Sequence, residues 1–329
     1  MMSLKKILVI QTAFIGDAIL ATSVLEKLHI HYPNSKIDFL VRKGNEALFE
    51  NHPFINKLWI WDKKKNKLKN QFLLIRDFRK QHYDYIINCQ RYFSTGLFTV
   101  FSGAKNTIGF DSNPLSLFFS ISVKHAFDGL HETQRNQRLI ASFTDSVASK
   151  PKLYIDNIKI EHNSKNFITI SPSSVWFTKQ YPKELWIEFI NKVPQDFDIF
   201  LLGSPADKSY NHEIMDSSSR KDGIFNKAGE LSLLQSAALM KQALMNYVND
   251  SAPLHLCSAV NAPVCVMYCS TLPAFGFGPL SDKSYILETE EKLDCRPCGI
   301  HGHKACPQGH FKCGYGIRVN RLIELLPKL

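Results

Sequence analysis

No apolar run in this sequence of 329 residues reads as a membrane span. The longest uncharged stretch, Ser251 to Ser281, exceeds the roughly 20 residues a span needs, but Pro253, Pro263, Pro273, Pro279 and many polar residues interrupt it, so it reads as buried α/β core. A secretory leader is also missing: the apolar segment within Met1 to Ile10 is short and gives way at once to Gln11 and Thr12, which leads us to expect a cytosolic protein. Eight cysteines in such a chain do not make a disulfide framework. G-x-G-x-x-G after the first strand, G-x-x-x-x-G-K-[ST], H-E-x-x-H and G-x-S-x-G are all absent, and with them the signatures of dinucleotide binding, P-loop hydrolysis, zincin and lipase chemistry. Acids are scarce relative to bases. Thirty Asp and Glu against 40 Lys and Arg leave +10, which favours an anionic partner.

What is present is alternation. Lys5 to Ile10 reads as a buried strand, and Ile15, Ile19, Leu20, Val24 and Leu28 then recur at helical spacing as far as Tyr32-Pro33-Asn34. Further strands are expected at Ile37 to Val41, Leu58 to Trp61 and Tyr85 to Cys89. Residues from about 145 to 166 are polar and irregular, after which the pattern restarts with a strand at Phe167 to Ile170 and a helix opened by Pro182. Strands at Ile199 to Leu202, Leu244 to Val248 and Val264 to Tyr268, with helices at Leu231 to Lys241 and Pro253 to Val260, complete a second half built like the first. We therefore expect an α/β protein of two doubly wound halves facing a cleft, with domains at 1–160 and 161–329.

Three segments carry candidate chemistry. In Gln11 to Leu20, Asp17 follows Gly16 where a helix begins at the carboxyl end of the first strand, the place where open α/β sheets bind ligands. Asp17 reads either as a helix cap or as a general base at the cleft. In Val248 to His255, a strand end passes through Asn249, Asp250, Ser251 and Ala252 into a helix started by Pro253. Its free N–H groups and dipole suit a phosphate, although Asp250 or Ser251 could simply cap that helix while His255 packs one turn in. The third is the loop Ser171-Pro172-Ser173-Ser174 with Lys179, which could bring hydroxyls and an ammonium to a diphosphate or lie as an ordinary surface loop.

Taken together, these segments resemble glycosyltransferase family 9, the heptosyltransferases of the lipopolysaccharide core. The resemblance runs from Ile7-Leu8-Val9-Ile10, Ile15-Gly16-Asp17 and Tyr32 to Val41 to the C-terminal cysteines. It implies a GT-B fold of two Rossmann-like domains, acceptor in the N-terminal one and nucleotide-sugar donor in the C-terminal one, with the last helix packing back on the N-terminal domain. It also implies inverting transfer without a required cofactor or metal, most simply of heptose from ADP-heptose onto a lipid-linked saccharide. On it Asp17 matches the catalytic base, with Gly16 beside it on the acceptor side. Ser173, Ser174 and Lys179 match donor-phosphate contacts, and Asp250, Ser251, Ala252, Pro253 and His255 match the family's donor-binding D-[ST]-G-P-x-H. Two departures stand out: Ala252 replaces the usual glycine, and Phe277 replaces a tryptophan in the turn Thr271 to Pro279. They leave open a different nucleotide sugar, or a catalytically inactive GT-B module that binds glycolipid.

Two further features remain ambiguous in sequence. Cys295, Cys298, Cys306 and Cys313, interspersed with His301, His303 and His310, suggest a zinc site, free or packed thiols, or a disulfide. Family members carry a similar run with no catalytic metal, so the segment is expected to be dispensable for the chemical step. Lys63, Lys64, Lys65, Lys67 and Lys69 read as a solvated face or, given the implied lipid-linked acceptor, as a peripheral contact with the inner membrane. No nucleic-acid module accompanies the charge.

Overall fold

The computed structural model describes residues 5 to 329; the Met1 to Leu4 part of the leader reading lies outside them. The chain divides into one unit ending at Tyr154 and a second from Ile155 to Leu329, each with its own six-stranded parallel sheet.

In the first unit the strands are β1 (Lys6–Gln11), β2 (Lys36–Arg42), β3 (Ile55–Trp61), β4 (Tyr85–Asn88), β5 (Asn106–Phe110) and β6 (Ile121–Val123). Their spatial order is β3-β2-β1-β4-β5-β6. Helices α1 (Ile15–His31), α2 (Lys67–Arg79), α3 (Phe93–Phe101) and α4 (Glu132–Gln137) connect and cover them. β1 is central because it is apolar on both faces: Ile7 to Ile10 are fully buried between β2 and β4. The one acid inside this sheet, Asp38 on β2, accepts hydrogen bonds from Asn56 (2.7 Å), from Trp59 and from Tyr83, which offsets the cost of burying its charge.

The second unit repeats the plan with β7 (Phe167–Ser171), β8 (Asp198–Leu201), β9 (Ile224–Asn226), β10 (Met245–Asn249), β11 (Val264–Met267) and β12 (Ser284–Leu287), in the order β12-β11-β10-β7-β8-β9. Its helices are α5 (Lys183–Lys192), α6 (Lys208–Ser217), α7 (Leu233–Gln242), α8 (Ala252–Val260), α9 (Lys312–Tyr315) and α10 (Val319–Glu324). Pro182 stands just outside α5 as its N-cap, and Ser232 closes a capping box with Gln235 at the start of α7. The last helix, expected to return to the N-terminal domain, packs on α5 and buries Val319 and Leu322 in the core of its own unit. Both sheets carry the doubly wound Rossmann order, with the chain reversing direction across the sheet between β1 and β4 and between β7 and β10. In open sheets of this order, ligands bind outside the carboxyl ends of the strands at those two points.

Candidate functional site

On the first unit, the loop after β1 is fastened across the crevice to the end of β4: Thr12 donates to the Gln90 side chain from its backbone N–H (3.1 Å) and from its hydroxyl (2.6 Å). The helix that follows is capped by Phe14, with no side-chain capping bond. Asp17 is thus third in α1 and is not its N-cap. It lies in the first turn, at the positive end of the helix dipole.

Asp17 faces company that the sequence did not point to. α4 packs on α1, and the Glu132 carboxyl at its start is pushed up by burial and further by the Asp17 charge, while Arg135 opposes the shift. Arg135 is fully buried, pairs with Glu132 at 2.8 Å and donates to the Leu130 carbonyl at 2.6 Å. Arg91 and Arg135 both approach the Phe127 ring, at 5.4 and 5.2 Å; burial first, then these two charges, lower His125 to about 4. The lysine run is also divided. Lys63, expected on the outer face, turns inward and donates to the Thr12 carbonyl at 2.6 Å, over the Trp61 ring. Burial, Arg42 and Lys67 bring its ammonium down to about 8. Only Lys64, Lys65, Lys67 and Lys69 of that run stay on the surface.

On the second unit three loops converge at the carboxyl ends of β7, β10 and β11. Lys179 Nζ lies 2.7 Å from Asp250 Oδ2, and the Thr271 hydroxyl donates to the same oxygen at 2.6 Å. Lys179 and Asp250, predicted separately, are therefore one unit. An ammonium has three donors, so this pairing fixes Lys179 and leaves others for a ligand. Asn249 is the stitch between the loops: its side chain donates to the carbonyls of Ser171 and Pro172 (3.3 and 2.9 Å) and accepts from the Tyr181 N–H at 2.8 Å. Ser173 and Ser174 sit half-buried on the loop so held. α8 then begins with Ser251 as N-cap, again without a side-chain capping bond; the Ser251 hydroxyl turns back to the Asn249 carbonyl at 3.4 Å. Asp250 does not cap either, so the helix start at Ala252 and Pro253 keeps its field for an anion. His255 is buried in the first turn. Asn249, Thr271 and Glu132 were missed because Asn, Thr and Glu at strand and helix ends are too common to signal anything without their partners.

The cysteine segment forms one wall of this convergence. Thr178 and His303 are joined by two hydrogen bonds, Thr178 N–H to the His303 carbonyl (3.1 Å) and His303 N–H to the Thr178 hydroxyl (2.8 Å). Arg296 donates to the carbonyls of Cys269, Tyr268 and Thr271 at 2.6 to 3.0 Å. All eight cysteines are free thiols, and Cys313 is buried in the core, its thiol pushed up to about 11. Among the described residues no three His, Cys, Asp or Glu side chains are grouped to hold a metal ion; the Cys295 thiol lies 3.8 Å from His310 Nε2.

With this geometry in place, residues 72–304 match the family Glycosyltransferase family 9 (heptosyltransferase). The chain belongs to glycosyltransferase family 9. A lipopolysaccharide heptosyltransferase 1 of Campylobacter coli is 24% identical over 312 residues, covering 88% of this chain and 90% of that protein. Among solved structures, the family 9 transferase of Veillonella parvula DSM 2008 superposes with a TM-score of 0.84 at 20% identity, over 97% of this chain and 95% of the other. The E. coli ADP-heptose lipopolysaccharide heptosyltransferase II superposes with a TM-score of 0.79 at 20% identity, over 97% and 96%. This family 9 member is accordingly a heptosyltransferase-like glycosyltransferase with the two-domain GT-B architecture.

Proposed function

We propose that the protein transfers heptose from ADP-heptose, with inversion, onto a lipid-linked saccharide of the lipopolysaccharide core, working in the cytosol at the inner face of the inner membrane. The observation that carries this reading is the convergence of Lys179, Asp250, Thr271 and the uncapped start of α8 at the crevice of the second sheet. That is a cradle for a diphosphate: one fixed ammonium, serine hydroxyls at Ser173 and Ser174, and a helix N-terminus. The relatives named above lend the sugar and the nucleotide.

The chemistry follows from these groups. Asp17 accepts the proton of the acceptor hydroxyl as its oxygen attacks the anomeric carbon from the face opposite the diphosphate. The bond from that carbon to the diphosphate oxygen breaks, and Lys179 and the N–H groups at the start of α8 meet the charge that develops on the leaving group. On the acceptor side Arg42, Lys63 and Lys67 supply a positive field beside the loop that leads to Asp17.

The test is a panel of ADP-, UDP- and GDP-sugars offered with a heptose-deficient lipopolysaccharide core, read by the mass added to the acceptor. A heptose increment with ADP-heptose is the expected result. Transfer of another sugar in preference would trace to Ala252 and Phe277 at the donor loops and correct the donor, and turnover of none would leave a binding module.

A further inference from the structure

We propose that the outer faces of α2 and α3, with the turn that follows β5, form a docking surface for an anionic phospholipid bilayer. This deepens the reading above, since its purpose rests on a lipid-linked acceptor, but its evidence is separate. The two helices are clamped side by side at both ends: Gln71 donates to the Ser94 carbonyl at 2.6 Å and Arg79 to the Phe101 carbonyl at 3.4 Å. Their inner faces supply Phe78 and Phe98, fully buried against Trp59 and Trp61. Their outer faces should then be polar, as on an ordinary surface helix. Instead Leu68 and Phe72 on α2, one turn apart, and Phe93 and Phe101 on α3, two turns apart, are each more than half exposed. Gly96 of α3 packs on Asn113 and Leu115, which brings the turn Ser116–Phe118 alongside; there Phe118 is 68% and Leu117 94% exposed. Single exposed apolar residues are commonplace, but large ones gathered on adjoining elements mark a contact surface.

Charge selects the partner. From Lys64 to Lys80 there are seven Lys or Arg residues and a single acid, Asp77, which already lies 3.5 to 3.6 Å from Arg76 and Lys80. α3 carries no charged residue at all. Protein interfaces are depleted of lysine, whereas lysines flanking exposed Phe and Leu are the composition of a helix lying in the headgroup layer. The N-terminal ends of both helices follow β3 and β4 directly, and Lys63, just ahead of α2, holds the loop after β1. A bilayer seated on this face therefore lies beside the strand ends that present Asp17, where a lipid-anchored acceptor would arrive.

The experiment is co-sedimentation of the whole protein with phosphatidylcholine vesicles and with vesicles that also contain phosphatidylglycerol. The parent is expected to sediment with the anionic vesicles only. Phe72→Ser should weaken that partition about tenfold. Lys65→Gln and Lys69→Gln should each weaken it about fivefold. Because all three side chains are exposed, each variant should melt at the parental temperature and keep parental turnover of a deacylated, soluble acceptor. Parental vesicle binding by Phe72→Ser, or no binding by the parent, would overturn the proposal. So would a dimer in solution that Phe72→Ser dissociates, since the occupant would then be a second copy. Vesicle binding without transfer to any lipid-linked saccharide would keep the surface and refute the acceptor reading instead.

Discussion

Asp17 shows how much one position can carry. In the sequence it reads either as a cap, which the motif alone favours, or as a base, since both roles put an acid after a glycine at a helix start. In the structure Phe14 is the N-cap and Asp17 stands three residues later, in the first turn near Glu132, so the N-cap position is not its role and the general-base role is what a variant tests. Asp17→Asn keeps the size and the local helix, so the melting temperature should stay parental while kcat falls by about 10² to 10⁴, the usual contribution of a general base. Single-turnover rates and melting curves on the same preparation check this; parental turnover would remove Asp17 from the chemistry. Lys63 was less legible. Five lysines within seven residues look like one solvated face, and only the fold reveals that the first of them bends back to the Thr12 carbonyl.

At the level of elements, the central strands were legible because β1, β2, β4, β7 and β11 are mostly apolar and buried. The edge strands β6, β9 and β12 are three or four residues long and partly exposed, too short to show any period. The contact that the cysteine segment makes was illegible for a different reason. Its cysteines drew attention to metal and thiol chemistry, while its contact with the donor loop runs through backbone and a glycine. Gly302, at φ +75°, sits so close that a Cβ would lie 2.8 Å from the Thr178 hydroxyl, 3.1 Å from the Lys179 side chain and 3.2 Å from Ser270. Gly309, at φ +70° in the same segment, has open space around it. Alanine at either place costs roughly 1 to 2 kcal/mol of backbone strain. Only Gly302→Ala should also displace Lys179, so calorimetric titration with ADP should show affinity about tenfold weaker for Gly302→Ala and unchanged for Gly309→Ala. Equal affinities would mean that the segment supports the fold and nothing more.

At the scale of the molecule, two sheets of identical strand order lead us to expect two unfolding units, each responding to a different agent. In the first unit His52 is only 9% exposed, wedged edge-on between Phe54 and Tyr154 at 4.5 and 4.7 Å, with neither ring nitrogen hydrogen-bonded. Burial first, then the charges of His29 and Lys152, lower it to about 4. A base whose folded pKa lies below its unfolded value of about 6.5 takes up protons on unfolding. The unfolded chain thus binds more protons between pH 6.5 and 4, and stability falls as pH drops through that window. For His52 the loss approaches 2 to 3 kcal/mol at about pH 4, or roughly 5 to 10 °C in the melting temperature of a unit this size. His125 adds a smaller share in the same direction, since it is more open to solvent. ADP, by contrast, should bind the second unit alone and raise its transition by mass action. Scanning calorimetry should therefore show one transition that descends on acidification and ignores ADP, and another that rises with ADP. His52→Phe, which keeps the ring and removes the titrating nitrogens, should flatten most of the acid slope of the first transition without touching the response of the second. An unchanged slope in that variant would place the acid sensitivity elsewhere in the first unit, and a single transition moved by both agents would show that the two cores melt as one.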